Sequence, residues 1–119
     1  MKHNGNPIYV VTMMDDLKIN QGDDDSMHKY IVGDFETIGF FHDSEDAGLV
    51  VENNMGDIYD CSYKYAVIEK IYQGLYPYTM PDEEGSRMFY KYNCDKDKYE
   101  PIVVPIMFDT FFAFRKYNE

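Results

Sequence analysis

Seven consecutive uncharged residues, Ile8-Tyr9-Val10-Val11-Thr12-Met13-Met14, stand between Pro7 and the acid pair Asp15-Asp16. The segment is rich in β-branched and aromatic side chains, so it reads as a strand. Near-continuous apolar character predicts that this strand is buried on both faces or central in a sheet. The other elements must be arranged around it. At 119 residues the chain has the length of one domain, taken as 1–119. Its 45% hydrophobic and 17% aromatic content is enough for a packed core and too much for a disordered acidic tail.

Further strand segments follow. Lys29-Tyr30-Ile31-Val32 and Thr37-Ile38-Gly39-Phe40-Phe41 flank Gly33-Asp34, a turn or bulge signal. Before them, residues 15–28 form an acidic stretch with turn chemistry and no periodicity, read as a long loop. Asp43 or Ser44 caps a helix over about 44–54, with Glu45 and Asp46 in its first turn. Ala47, Val50, Val51 and Met55 recur at helical spacing and are expected to face the core, with Gly56 ending the helix. Asp57 to Ser62 reads as a short helix or turn, and Gly74 to Gly85 as a loop. Tyr65–Ile71 and Arg87–Tyr92 read as strands, joined to Tyr99–Val104 by a turn at Asn93–Lys98. Pro101 and Pro105 confine that next segment to an edge or an extended stretch, and Thr110–Arg115 reads as a last strand. The expectation is an α+β fold: a mainly antiparallel sheet of five or six strands with one principal helix packed on it.

Charge is the second constraint. The formal net charge is −11, and the arithmetic assigns it to one stretch. Residues 15–60 hold 13 acids against Lys18 and Lys29, while the remainder holds 9 acids and 9 bases. Such polarity bears on partners and solubility rather than on fold. Direct nucleic-acid binding through a basic patch is excluded, because phosphates would be repelled. No apolar run approaches the roughly 20 residues that span a bilayer, and Met1 to Pro7 lacks a signal-peptide core. A cytoplasmic protein of a bacterial host cell is expected.

The order of motifs, from the Tyr9-Val10-Val11-Thr12 strand through Thr37–Phe41, the capped helix, Asp57-Ile58-Tyr59, Tyr65–Ile71 and Gly74-Leu75-Tyr76-Pro77, resembles a group of small proteins of gut anaerobes, their phages and mobile elements. The resemblance spans about residues 8–92 and includes no catalytic signature. It implies a mobile-element setting. By analogy, it implies a counter-defence inhibitor of the anti-CRISPR type, some of which resemble nucleic acid in charge.

Candidate chemistry is sparse. Cys61 and Cys94 are far apart and form no Cys-x-x-Cys pair, so free thiols are expected. His3, His28 and His42 lack metal-ligand spacing. His42 beside Asp43 suits either a general base with its orienting carboxylate or a capping interaction. Asp15, Asp16, Asp23, Asp24 and Asp25 do not follow the calcium-loop pattern, and Asp16-Leu17-Lys18 is only a fragment of a nuclease motif. No enzyme, cofactor or metal is therefore predicted. The candidate partner-binding residues are Asp15, Asp16, Asp23, Asp24, Asp25, Asp34, Glu36, Asp43, Glu45, Asp46 and Glu52, with Tyr72, Tyr76 and Tyr78 as aromatic anchors. The other tyrosines, Tyr59, Tyr63, Tyr65, Tyr90, Tyr92 and Tyr99, are expected to line the sheet, and Met80 and Met88 to add an adaptable apolar surface. The expected partner is a larger basic protein, such as a CRISPR effector or another nucleic-acid-binding defence protein. Homodimerisation through an edge strand is a further expectation; the alternative is a small structural or regulatory domain of a mobile element whose acidity serves solubility only, and behind it a metal-dependent hydrolase.

Overall fold

The computed structural model describes residues 6–21, 28–55, 63–72, 87–104 and 112–114. In chain order these form β1 (Ile8–Met14), β2 (Leu17–Gln21), β3 (His28–Val32), β4 (Phe35–Phe41), α1 (Ser44–Glu52), β5 (Tyr65–Ile71), β6 (Arg87–Asn93) and β7 (Lys98–Ile102). A single 3-10 turn covers Phe112–Phe114. Five strands make an antiparallel sheet in the order β4-β1-β5-β6-β7, and β2 pairs with β3 in a second, two-stranded sheet. The class is α+β.

β1 lies between β4 and β5, and residues 10–14 are all buried. Alternate side chains of a strand face opposite sides of the sheet. Val11 and Met13 accordingly pack with Ala47 and Val51 of α1 and with Ala66, Ile68, Tyr90 and Tyr99. Met14 packs on the other side with Leu17, Val67, Phe89 and Phe112, and Val10 with Ile71 and Ala113. The apolar run thus reflects a strand covered by α1 on one face and by the C-terminal 3-10 turn on the other.

The stretch read as a loop over residues 15–28 includes β2. One antiparallel register, through Thr12↔Thr37, Met14↔Phe35, Leu17↔Val32 and Gln21↔His28, runs across both sheets. At the junction Asp15 N donates to Asp34 O and Gly33 N to Asp16 O, each at 2.9 Å. β1–β2 and β3–β4 are therefore the two legs of one long hairpin. Leu17-Lys18-Ile19-Asn20 alternates apolar and polar residues, the strand signature that neighbouring turn chemistry obscures. Residues 22–27 lie outside the described residues.

Gly33-Asp34, read as a turn or bulge signal, is the bend between β3 and β4, and a bulge lies further along β4. Val11 pairs with Gly39 but Thr12 with Thr37, leaving Ile38 as the extra residue. Gly33 instead makes room at the junction, since a Cβ there would lie 1.8 Å from Asp15 Oδ1.

Asp43 is the N-cap of α1, its carboxylate accepting from Glu45 N at 2.8 Å. The helix ends at Glu52, before the expected Asn54 and Gly56. Asn54 takes the left-handed conformation (φ 49), Asn54 N donates to Val51 O and Met55 N to Val50 O. That is the Schellman closure, made with asparagine in the place usually held by glycine. Ala47, Gly48, Val51 and Asn54 are buried, Val50 is half-buried and Met55 is exposed. The earlier stop explains the shift: Met55 has left the helix and no longer follows its period.

β6 and β7 join through residues 94–97, with Asp97 at φ 52. Pro101 lies on the edge strand β7, where a missing N–H costs no ladder bond. The strand expected at Thr110–Arg115 is a 3-10 turn where it is described, for a reason that lies in β5.

Candidate functional site

β4 is an edge strand, and acids stand at both of its ends. Asp34 precedes it, Glu36 lies within it, and Asp43, Glu45 and Asp46 follow it at the start of α1; all five are exposed. β4 is seven residues long, which sets the two groups roughly 20 Å apart at about 3.3 Å per residue. Asp15 and Asp16 join the Asp34 group through the backbone bonds of the hairpin junction, and both are half-buried. Residues 30–63 contain no Lys or Arg.

The far edge is balanced. Lys91 of β6, Lys96 of the turn between the strands and Lys98 of β7 are matched by Asp95, Asp97 and Glu100. Lys96 Nζ approaches Glu100 Oε2 at 3.4 Å, and Asn93 donates to Glu100 Oε1 at 2.9 Å. The Asn93 amide first, then Lys96, holds the Glu100 carboxyl below its ordinary pKa. The anionic character of the described fold is thus concentrated on the β4 side, four strand spacings from β7, or roughly 19 Å.

Several acids also have local duties. Glu36 Oε2 accepts from the Tyr63 hydroxyl at 3.0 Å, and Asp43 caps α1. Glu45 and Asp46 lie in the first turn, where the helix dipole favours anions. Glu52 is half-buried at the other end of the helix. It lines an open groove of about 460 Å³ with Asn53, Lys96, Lys98, Tyr99, Glu100 and Pro101. Asp23, Asp24, Asp25, Tyr76 and Tyr78 lie outside the described residues, as do Asp57, Asp60, Tyr59, Cys61, Met80 and Pro105.

β4 also exposes apolar surface: Ile38 is 45% and Phe40 57% accessible. His42 meets the Phe40 ring edge-on at 5.8 Å between centroids, and Asp43 beside it caps α1. Tyr72 is half-buried, with Lys70 Nζ 5.5 Å from its ring centroid. The sheet tyrosines differ from one another. Tyr90 and Tyr99 are buried, the Tyr99 hydroxyl donating to Tyr63 O, while Tyr92 donates to Asp97. Burial, with Glu52 nearby as a second cause, raises the Tyr90 pKa. Met88 is exposed, as is the free thiol of Cys94. Among the described residues no three His, Cys, Asp or Glu side chains converge in a way that would hold a metal ion.

Sequence reasoning did not find Glu69. Its carboxylate is 0% exposed within β5. It accepts from Arg87 Nε at 2.9 Å, Phe112 N at 2.9 Å and Ala113 N at 3.1 Å. This explains the 3-10 turn, because two successive backbone N–H groups turn toward one buried anion. Burial raises the Glu69 pKa, opposed first by the Arg87 hydrogen bond and then by the backbone donors. The available signal was a lone acid in the apolar run Ala66-Val67-Ile68-Glu69, with an arginine on a later strand.

No helix among the described residues is long and apolar enough to cross a membrane. No protein-family model, curated protein or solved structure matches the chain.

Proposed function

We propose that this is a non-enzymatic binding protein of the bacterial cytoplasm. It docks its acidic β4 side on a basic, nucleic-acid-binding surface of a larger protein and thereby competes with nucleic acid. A defence effector of the CRISPR type is the most concrete partner, in keeping with the resemblance to mobile-element proteins. The observation that carries this reading is the asymmetry of charge across the sheet: exposed acids bracket one edge, while the opposite edge is balanced. Carboxylates there would meet the lysines and arginines that otherwise hold phosphates, speeding encounter and discriminating among partners. Exposed Ile38 and Phe40 would supply the apolar contact that slows dissociation.

The test is capture from a lysate of a host that carries defence systems, eluted with a salt gradient, followed by competition with duplex DNA or RNA for the captured protein. Release at moderate salt and mutual exclusion with nucleic acid are expected. A complex indifferent to ionic strength removes the electrostatic account.

A second reading is favoured by the local duties of Asp43 and Glu36: the acids serve folding and solubility in a small structural or regulatory domain. Converting Asp34, Glu45 and Asp46 to their amides separates the two. Retained partner binding supports the second reading, and lost binding with no more than the small fall in melting temperature that loss of two helix-dipole charges brings supports the first.

A further inference from the structure

We infer that β4 receives an extended segment of the partner as an added strand, and that this segment carries Lys or Arg on both sides of a short apolar core. The inference rests on the docking reading above and adds its mode.

The two edges of the sheet are unequal. β7 carries Pro101, which lacks an N–H for pairing, whereas β4 contains no proline. Among the described residues no strand pairs with the outer side of β4. An edge strand with open N–H and C=O groups is a template for another chain, and natural edges are usually guarded by lysine, proline or cover. Here the guards are the Ile38 bulge and Glu36. Between the acids, Ile38 and Phe40 are exposed and His42 extends the aromatic surface. Strand addition draws affinity from main-chain bonds and specificity from such alternate side-chain contacts.

Charge chooses the occupant. A second copy pairing antiparallel would set Asp34 and Glu36 of one chain against Asp43, Glu45 and Asp46 of the other. A parallel copy would set each acidic group on its twin. Both arrangements oppose like charges, which is destabilising across a sheet. A segment with basic residues about 20 Å apart meets both acidic groups while its core covers Ile38 and Phe40.

The experiment uses isotopically labelled full-length protein. The probe is a synthetic peptide with a Val-Thr-Val-Thr-Val core between two lysine pairs, added to about 1 mM so that weak binding registers. Amide shifts and slowed hydrogen exchange concentrated at residues 35–41 are expected. The same peptide N-methylated at alternate core positions should lose them, and a version flanked by glutamates should bind at least tenfold more weakly. Phe40→Thr should weaken the lysine-flanked probe several-fold without lowering the melting temperature.

Absence of perturbation at residues 35–41, or its persistence with the N-methylated probe, overturns strand addition and leaves the acidic docking reading standing. Equal binding of the glutamate-flanked probe overturns the charge selection and the docking reading together. Sedimentation showing a dimer with protected β4 amides assigns the edge to a second copy and overturns the inference.

Discussion

Glu69 holds two parts of the molecule at one point, because its carboxylate ties β5 to Arg87 of β6 and to the backbone of the C-terminal 3-10 turn. Truncating Arg87 to Ala leaves a buried anion without its countercharge, a change that costs about 3 kcal/mol. Urea denaturation of R87A should show that loss. The sign of the pH dependence follows from the direction of the shift. The folded-state pKa of Glu69 is raised above 4.5, so its contribution to stability is greatest below the ordinary value. That contribution is lost as pH rises through the folded value. The stability gap between wild type and Glu69→Gln should therefore narrow over that window; a widening gap refutes the assignment. A different constraint operates at Gly33, where an added Cβ would collide with Asp15 Oδ1. Gly33→Ala forces the Asp15 carboxylate to rotate away and should destabilise by about 1 kcal/mol in urea denaturation, and Asp15→Ser in the same background should recover part of it.

Among the elements, α1 was the most legible from sequence at its start and the least at its end. Asp43, Glu45 and Asp46 spell a helix N-terminus in side-chain chemistry alone, and the N-cap is Asp43. The stop depends on Asn54 adopting a left-handed backbone while its side-chain amide donates to Asp97, a residue 43 positions away. No local pattern contains that partner. Asp43→Ala should cost about 1 kcal/mol of stability, read as a lower melting temperature. Asp43→Ser retains a capping oxygen and should restore it. If Asp43 also serves docking, Asp43→Ser should still weaken partner binding, so the pair of variants separates the two roles. β2 shows the converse: its alternation is present in sequence, but pairing with β3 makes it a strand.

For the whole molecule, the charge asymmetry predicts a salt-dependent association. The screening length shortens from about 10 Å at 0.1 M to about 3 Å at 1 M ionic strength, so exposed acids should lose most of their pull over that range. The association rate, measured by stopped flow or surface binding, should fall steeply while the dissociation rate changes less. An association rate indifferent to ionic strength would place the partner contact away from the β4 side.

The sequence by itself determined the class, the buried status of β1, the confinement of the Pro101 segment to an edge or an extended stretch, and the amount and chain position of the charge. These follow from periodicity, from proline's missing N–H and from counting, all of which act within a few residues. Tertiary structure decided that β1 to β4 form one long hairpin, that acids bracket an edge strand, and that Phe112–Phe114 turns toward Glu69. Those outcomes depend on groups distant in the chain meeting in space. Locally Glu69 shows only as a lone acid in an apolar run, and the backbone donors it draws in from 43 residues away leave no mark beside it.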